Sequence, residues 1–269
     1  MKLVFNERKI MINIILNGCG GKMGKFVSAK VKSDGESRVI CGVDKFPSPE
    51  EFPVFSSAEE IPADLIKEAH CLIDFSTAAA FDSVIDFCQK NKIPAVIATT
   101  GLGEEQKAKM QIAGKEIPVF FTANMSIGVN LVTELAKTAA KILGSDFDIE
   151  IVEMHHNQKL DAPSGTALMI ADEIKEVTGD STYYEYDRHL KREKRSENEI
   201  GIHSLRGGTV TGEHKIIFAG NDEIVEISHS ARSRNLFATG ALNAAKYIYD
   251  KEPGIYSMKD LIEKGNSKN

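Results

Sequence analysis

No stretch of the chain stays apolar for the roughly 18 positions that a membrane-spanning helix needs, so nothing in it predicts a span. The opening "MKLVFNERKI" lacks the apolar core of a secretory signal, because Asn6-Glu7-Arg8-Lys9 follows "LVF" where that core should continue. Basic excess is missing too. The 33 Lys and Arg stand against 39 Asp and Glu, a formal net charge of −6, which is the wrong sign for a nucleic-acid surface. Cysteine is confined to the first third. Cys19, Cys41, Cys71 and Cys88 form no CxxC pair, and each sits in or beside an apolar run. They read as reduced core thiols of a cytoplasmic protein, not as a zinc knuckle or a disulfide framework. Two starts stay open, Met1 and Met11, the second directly before the first apolar run.

What is present is a chain of 269 residues, 42% of them hydrophobic, enough for one large domain or two modest ones. In the first half short apolar runs alternate with helical patterns: "INIILN", "RVICGVD", "HCLIDF", "IPAVIATT" and "IPVFFTA". Strands without internal alternation, separated by helices, signal a parallel sheet covered on both faces. The right-handed crossover rule then predicts a doubly wound, Rossmann-like α/β domain. The second half differs. After a helix from about Ser126 to Leu143, "FDIEIVEMHH", "IGIHSL", "HKIIFAG" and "DEIVEISHS" alternate as strands with one face covered. They predict an α+β domain with an open mixed, largely antiparallel sheet. The expected division is residues 1–126 plus 234–269 for the first domain and 127–233 for the second. The charged run from Asp187 to Glu199 reads as a solvated loop or mobile flap.

Two features carry chemistry. The first is "NGCGGKMG" after the first strand. Met23 breaks a GxGxxG register, but Gly18, Gly21 and Gly24 make GxxGxxG. Glycines there let the backbone turn tightly and approach a pyrophosphate at a helix N-terminus. The plain alternative is a tight turn with no ligand. Asp44 lies twenty residues past Gly24, where an acidic residue binds the adenosine ribose of NADH. Lys45 beside it, and Lys22 in the loop, suit the 2′-phosphate of NADPH, so both cofactors are expected. "ATTGL" and "TANMS" follow later strands, on the edge where such sheets bind ligands, and Met125 could pack on a flat ring.

The second feature is "EMHHNQKLDAPSGTA", Glu153 to Ala167. His155 and His156 are adjacent, so on a strand they point to opposite faces, which is poor geometry for one metal ion; with no HExxH and no nearby cysteine, no metal site is expected. Ser164, Gly165 and Thr166 open a helix whose exposed amides suit a carboxylate, with Ser164 or Thr166 supplying a capping hydroxyl. Lys159 adds positive charge, and either histidine can donate a proton.

This stretch matches E-x-H-H-x-x-K-x-D-A-P-S-G-T-A at every fixed position, and "DFST", "TTG", "SLRGG", "GEH" and "SRNLFATGA" extend the likeness over the chain from about Met11. On these residues the chain resembles the 4-hydroxy-tetrahydrodipicolinate reductase (dihydrodipicolinate reductase) family of lysine and diaminopimelate biosynthesis. The resemblance implies that His155 is the proton donor, Lys159 a second donor and carboxylate partner, and His156, Gly165 and Thr166 substrate ligands. It puts NADPH or NADH on Gly18, Cys19, Gly20, Gly21, Lys22, Met23, Asp44, Lys45, Ala98, Thr99, Thr100, Thr122, Ala123, Asn124 and Met125. Met125 departs from the pattern, since an aromatic residue often stands there. Arg234 matches an arginine near substrate and nicotinamide. The resemblance further implies a small cyclic dicarboxylate substrate and a homotetramer. Rivals fit less well; a homoserine-type dehydrogenase does not need the His-His-x-x-Lys pattern. A semialdehyde dehydrogenase needs a cysteine that no late position supplies, and a nucleotide-binding sensor without turnover does not need His155, Lys159 and the Ser-Gly-Thr turn together.

Overall fold

The computed structural model of the chain describes residues 10–46 and 50–266; of the two possible starts, Met1 lies outside the described residues and Met11 within them. Two compact units emerge, one formed by the described parts of Met1–Met125 and Asn235–Asn269, the other by Ser126–Arg234. In chain order the first unit begins with β1 (Ile12–Asn17), α1 (Lys22–Lys32), β2 (Ser37–Val43), β3 (Val54–Phe55), α2 (Ala63–Glu68), β4 (Cys71–Asp74), α3 (Phe81–Asn91), β5 (Ala95–Ile97), α4 (Glu104–Ala113) and β6 (Pro118–Phe121). The second unit carries α5 (Ile127–Leu143), β7 (Asp148–His155), α6 (Gly165–Thr178), β8 (Tyr183–Glu185), β9 (Glu199–Arg206), β10 (Gly212–Ala219) and β11 (Ile224–Ala231). The chain then returns to the first unit with α7 (Asn235–Ile248), β12 (Gly254–Tyr256) and α8 (Met258–Asn266).

In the first unit seven strands form one sheet in the order β12-β6-β5-β4-β1-β2-β3, all paired in parallel. β1 is buried at every position, as a strand covered on both faces must be. The doubly wound sheet read from the sequence is therefore present. The winding reverses between β1 and β4, and in such sheets the crevice at that reversal is the ligand edge. β3 and β12, two and three residues long, are too short to leave a periodic signal. Helix α1 buries Gly24, Val27 and Val31, and α7 buries Ala238, Ala241, Leu242, Ala245 and Ile248, each a stripe at helical spacing. All four cysteines are buried and unpaired.

The second unit holds a five-stranded sheet in the order β11-β10-β7-β9-β8. β10 runs antiparallel to β7 and β11, but β9 runs parallel to both β7 and β8. The sheet is mixed, as expected, yet parallel and antiparallel pairings are balanced rather than largely antiparallel. The reason is α6, which carries the chain back across the sheet after β7, as a parallel pairing requires. Along β7 the buried positions are Ile149, Ile151, Glu153 and His155. Its covered face therefore begins apolar and ends in two ionisable side chains. Ser126 caps α5 by accepting from the Val129 amide at 3.1 Å. The buried sides of α5 and α6, including Ala136 and Ile170, close the core with Ile151, Ile202, Ile216 and Phe218.

The charged run after β8 is tied down, not merely solvated. Arg195 donates to the carboxylates of Asp148 at 2.8 Å and Glu150 at 3.0 Å, and to the Ile149 carbonyl at 2.9 Å. Arg188 reaches the buried Glu199 at 2.6 Å. Among the described residues, no helix is long and apolar enough to cross a membrane.

Helix α7 lies so close to the end of the preceding segment that a Cβ on Gly240 would stand 1.7 Å from the Met125 carbonyl oxygen. Backbone cannot yield that distance cheaply. Gly240→Ala is expected to lower stability by about 2–3 kcal/mol. Chemical denaturation checks this, and an unchanged midpoint is incompatible with the packing described.

Candidate active site

In the first unit the ligand edge is built from glycine. Gly18 leaves β1 at φ +75°, a conformation that side-chain-bearing residues rarely adopt, and a Cβ there would lie 2.6 Å from the Phe75 carbonyl oxygen. Gly24 is closer still to the loop, its missing Cβ 2.2 Å from the Gly18 oxygen. α1 can therefore start directly against the turn. Its cap residue is Gly21, which has no side chain to satisfy the first-turn amides, and those amides sit at the positive end of the helix. Asp44 faces the same loop. Its carboxylate accepts from the Gly20 amide at 2.9 Å and the Phe46 amide at 3.0 Å, and each oxygen keeps a lone pair for a further donor. Lys22 and Lys45 are exposed. A turn free of Cβ atoms, an uncapped helix start and an acidic side chain at the end of β2 fit the pyrophosphate and ribose of a dinucleotide. Cys19 is a packing residue here. Burial, then the charges of Asp44 and Glu50, push its thiol up to about 11, which leaves it un-ionised and unreactive.

Other positions read from the sequence sit differently. The Thr99 hydroxyl donates to Asp74 at 2.6 Å, and Asn17 donates to the same carboxylate at 2.7 Å. Asp74 has no exposure. It joins the ends of β1, β4 and the segment after β5, and Thr99 is held by it with its hydroxyl turned inward. Asp74 stands in "DFST", but its partners lie 57 and 25 residues away, beyond what a local pattern shows. Thr122 turns its hydroxyl onto the Asn124 carbonyl at 3.1 Å. Met125 is 4% exposed, so its side chain is a core group rather than an open platform for a ring. Ala98 is half-buried, and Thr100 and Ala123 are exposed.

In the second unit the cluster grows from strand register. Alternation puts Glu153 and His155 on one face of β7. Register sets His214 and Ser204 opposite Glu153, and Arg206 opposite His155. Arg206 grips Glu153 with both terminal nitrogens, each at 2.8 Å. That carboxylate also accepts from the Ser164 amide at 3.1 Å and lies 2.6 Å from His155 Nδ1, with the Ser204 side chain as a further hydrogen-bond partner. Burial opposes the charge on Glu153, but the Arg206 fork and then His155 outweigh it and hold the carboxyl at about 2. Burial also sets His155, lowering it below the ordinary histidine value despite the attraction of Glu153, with Lys159 and Arg206 adding to the drop. His214 packs edge-to-face on His155 at 5.2 Å. Burial, then His155, takes it down to about 4.

The loop that follows closes onto this cluster. Arg206 also donates to the Asp161 carbonyl at 2.6 Å, and Lys159 pairs with the Asp161 carboxylate at 2.8 Å. His156 lies off the covered face, half-buried. Ser164 caps α6, its hydroxyl accepting from the Ala167 amide at 3.1 Å and lying 3.0 Å from His214 Nε2. With its amide on Glu153 as well, Ser164 has both of its donor groups engaged within the protein. Gly165 is exposed, with nothing within 4 Å of where its Cβ would stand, and Thr166 beside it already has a partner. Arg234 ends the unit half-buried. Among the described residues no group of three or more His, Cys, Asp or Glu could hold a metal ion. Glu153, Arg206 and His214 stand in "EMHH", "SLRGG" and "GEH", but they meet only through strand register, which local sequence does not show.

Comparison with known proteins covers both units. The family model "Dihydrodipicolinate reductase, N-terminus" matches residues 12–125, and "Dihydrodipicolinate reductase, C-terminus" matches residues 128–262. The 4-hydroxy-tetrahydrodipicolinate reductase of Caldanaerobacter subterraneus subsp. tengcongensis is 52% identical over 256 residues, 95% of this chain and 100% of that one. Its counterpart in Clostridium botulinum is 45% identical over 253 residues, 94% and 98% of the two chains. Among solved structures, a dipicolinate-bound dihydrodipicolinate reductase from Paenisporosarcina sp. TG-14 superposes with a TM-score of 0.77 at 26% identity, covering 92% of this chain and 98% of that one. A DAP dehydrogenase from C. glutamicum, with a TM-score of 0.54 at 13% identity over 96% and 99% of the chains, shares the fold.

His214 links the cluster to pH. Between about 6.5 and about 4 the unfolded chain binds a proton at this residue that the folded protein refuses. The stability it contributes is therefore full above the unfolded value and is lost as pH falls through that window. Between pH 6.5 and pH 5 the expected loss through His214 is on the order of 1–2 kcal/mol. Urea unfolding at both pH values, compared with His214→Phe, checks it; equal pH slopes in the two proteins would show that burial of this imidazole is not the cause.

Proposed function

The chain belongs to the dihydrodipicolinate reductase family and is an oxidoreductase, and from that premise we propose that it reduces 4-hydroxy-tetrahydrodipicolinate to tetrahydrodipicolinate with loss of water, using NADPH or NADH, in lysine and diaminopimelate biosynthesis. The observation that carries the reading is the Glu153 carboxylate, which holds the imidazole of His155 by one oxygen and the start of α6 by the other. A proton donor and an anion-binding helix end are thereby kept in one rigid group.

In this reading the first unit is the dinucleotide-binding domain. The α1 amides take the pyrophosphate, Asp44 the ribose hydroxyls, and Lys45 the 2′-phosphate when NADPH binds. Loss of water takes hydroxide from one ring carbon and a proton from its neighbour, and the reduced nicotinamide, when bound, would supply the hydride that adds to the carbon that lost the hydroxyl. The second unit takes the dicarboxylate. Lys159 meets one carboxylate with its charge, and the α6 start at Gly165 and Thr166 meets the other with its dipole. His155 gives its proton to the enamine carbon that remains. One hydride and one proton thus enter the substrate as water leaves. The lowered value of His155 means that the imidazole is mostly neutral near pH 7 before substrate arrives. Two substrate carboxylates add negative charge beside it and favour the imidazolium, so substrate and proton are taken up together.

We assign the open face of the second sheet to self-association as a homotetramer. Val152, Met154, Leu205 and Ile217 line a shallow depression there, and Leu205 is half exposed, at 50%, as an apolar contact surface would be in a lone subunit. Light scattering of the purified protein is expected to return four times the chain mass; a monomer would remove the assignment.

A coupled assay tests the activity. Pyruvate and aspartate semialdehyde are condensed enzymatically, and the fall of NADPH or NADH absorbance is followed. Turnover is expected with both cofactors, their kcat/KM values within about a thousandfold of each other, since a paired Asp44 and Lys45 serve both riboses. His155→Gln is expected to lose about 10²–10⁴-fold in rate. Absence of wild-type turnover contradicts the activity, and an unimpaired His155→Gln contradicts the proton donor.

A further inference from the structure

Gly212 opens strand β10. Strand interiors disfavour glycine, and its φ is not among the positive values that would require one. What this position requires is space. A Cβ on Gly212 would stand 3.0 Å from Nε2 of His155 and 3.4 Å from Cδ2, tighter than side chains ordinarily pack. The other ring nitrogen is already engaged. His155 Nδ1 lies 2.6 Å from Glu153 Oε2, and Arg206 clamps that carboxylate through two bonds. An ionised carboxylate only accepts, so Nδ1 carries a hydrogen. The remaining charged or titratable neighbours leave Nε2 alone. His214 meets the ring edge-to-face with its own Nε2 toward Ser164, Arg206 points its fork at Glu153, and Lys159 pairs with Asp161.

We propose that Glu153 and Gly212 are positioning residues for the reaction: Glu153, clamped by Arg206, fixes His155 with its hydrogen on Nδ1, and Gly212 leaves Nε2 uncovered as the nitrogen that hands the proton to substrate. The inference rests on His155 as proton donor. It adds which nitrogen acts and which residues make it available. The Nδ1–H···carboxylate bond also favours the imidazolium form, so Glu153 sets how readily the ring is charged as well as how it points.

The test uses Gly212→Ala, Glu153→Gln and His155→Gln in the full-length protein. Gly212→Ala is expected to fold with a melting temperature at or a few degrees below wild type, since the ring must shift by a few tenths of an ångström, and to lose about 10²-fold in kcat/KM with cofactor affinity unchanged. Glu153→Gln is expected to lose about 10²-fold in kcat with KM within about threefold. The limb of its kcat/KM profile that reports His155 moves to lower pH by about one unit. A merely structural Glu153 would not move that limb. Nitrogen-15 spectra of the wild-type histidine rings are expected to show His155 protonated on Nδ1 and bare on Nε2 above neutral pH. Wild-type kcat/KM in Gly212→Ala, an unmoved limb in Glu153→Gln, or the opposite tautomer overturns the proposal. Should Glu153→Gln fail to fold, Gly212→Ala and the spectra decide. If His155→Gln keeps full activity, the proton-donor reading itself is lost. If it is inactive while the other two behave as wild type, only the positioning inference is lost.

Discussion

A carboxylate removed from water is tolerable only where its charge is met, and Glu153 is met on every side. Two Arg206 nitrogens, the Ser164 amide, His155 Nδ1 and the Ser204 side chain surround it. Replacing such a network by apolar groups is often harmless in other proteins, whereas removing one partner leaves a stranded charge and is severely destabilising. That asymmetry organises the second unit. The ion pair links β7 to β9, sets the end of the loop against α6, and through the second Arg206 nitrogen holds the Asp161 carbonyl. Placement of His155, Ser164 and the helix start all follow from one charge balance.

Two helix starts, one in each unit, solve opposite problems. α1 begins at Gly21 with no capping side chain, so its first amides are presented to whatever anion approaches. α6 begins at Ser164, whose hydroxyl and amide are both engaged. There the cap is part of the rigid framework, and the open position is one residue later, at Gly165. A pyrophosphate is large and doubly anionic, and an uncapped turn suits it. A single carboxylate needs less room, and a capped helix can still offer its dipole.

Much of this was legible in the chain. Apolar runs without alternation announced the parallel sheet, and alternation in "FDIEIVEMHH" announced a strand with one covered face. The glycine spacing placed the turn before α1, and the histidine, lysine and Ser-Gly-Thr pattern marked the loop where the second cluster forms. What escaped was nonlocal. Arg206 stands 53 residues from Glu153, and only strand register brings them opposite. The parallel pairing of β7 with β9 depends on α6 crossing the sheet, which a list of strands does not reveal. Ser164 supplies the capping hydroxyl expected of it, but its amide and the Thr99 hydroxyl are held by the carboxylates of Glu153 and Asp74, which local sequence does not show. Met125 lies in the core for a tertiary reason, the close approach of α7 marked by Gly240.

The return of the chain to its first unit has a further meaning during synthesis. Helix α7 packs on α1 and against β4, β5 and β6, and β12 closes the sheet beside β6. Both come after the whole second unit. As the ribosome emits the chain, the segment that appears first waits longest for its last layer, while Ser126–Arg234, uninterrupted in sequence, has every one of its own strands in hand earlier. One face of the early sheet therefore stays uncovered until residues near Ile248 leave the exit tunnel, and that interval is when the nascent protein most needs shielding from its neighbours.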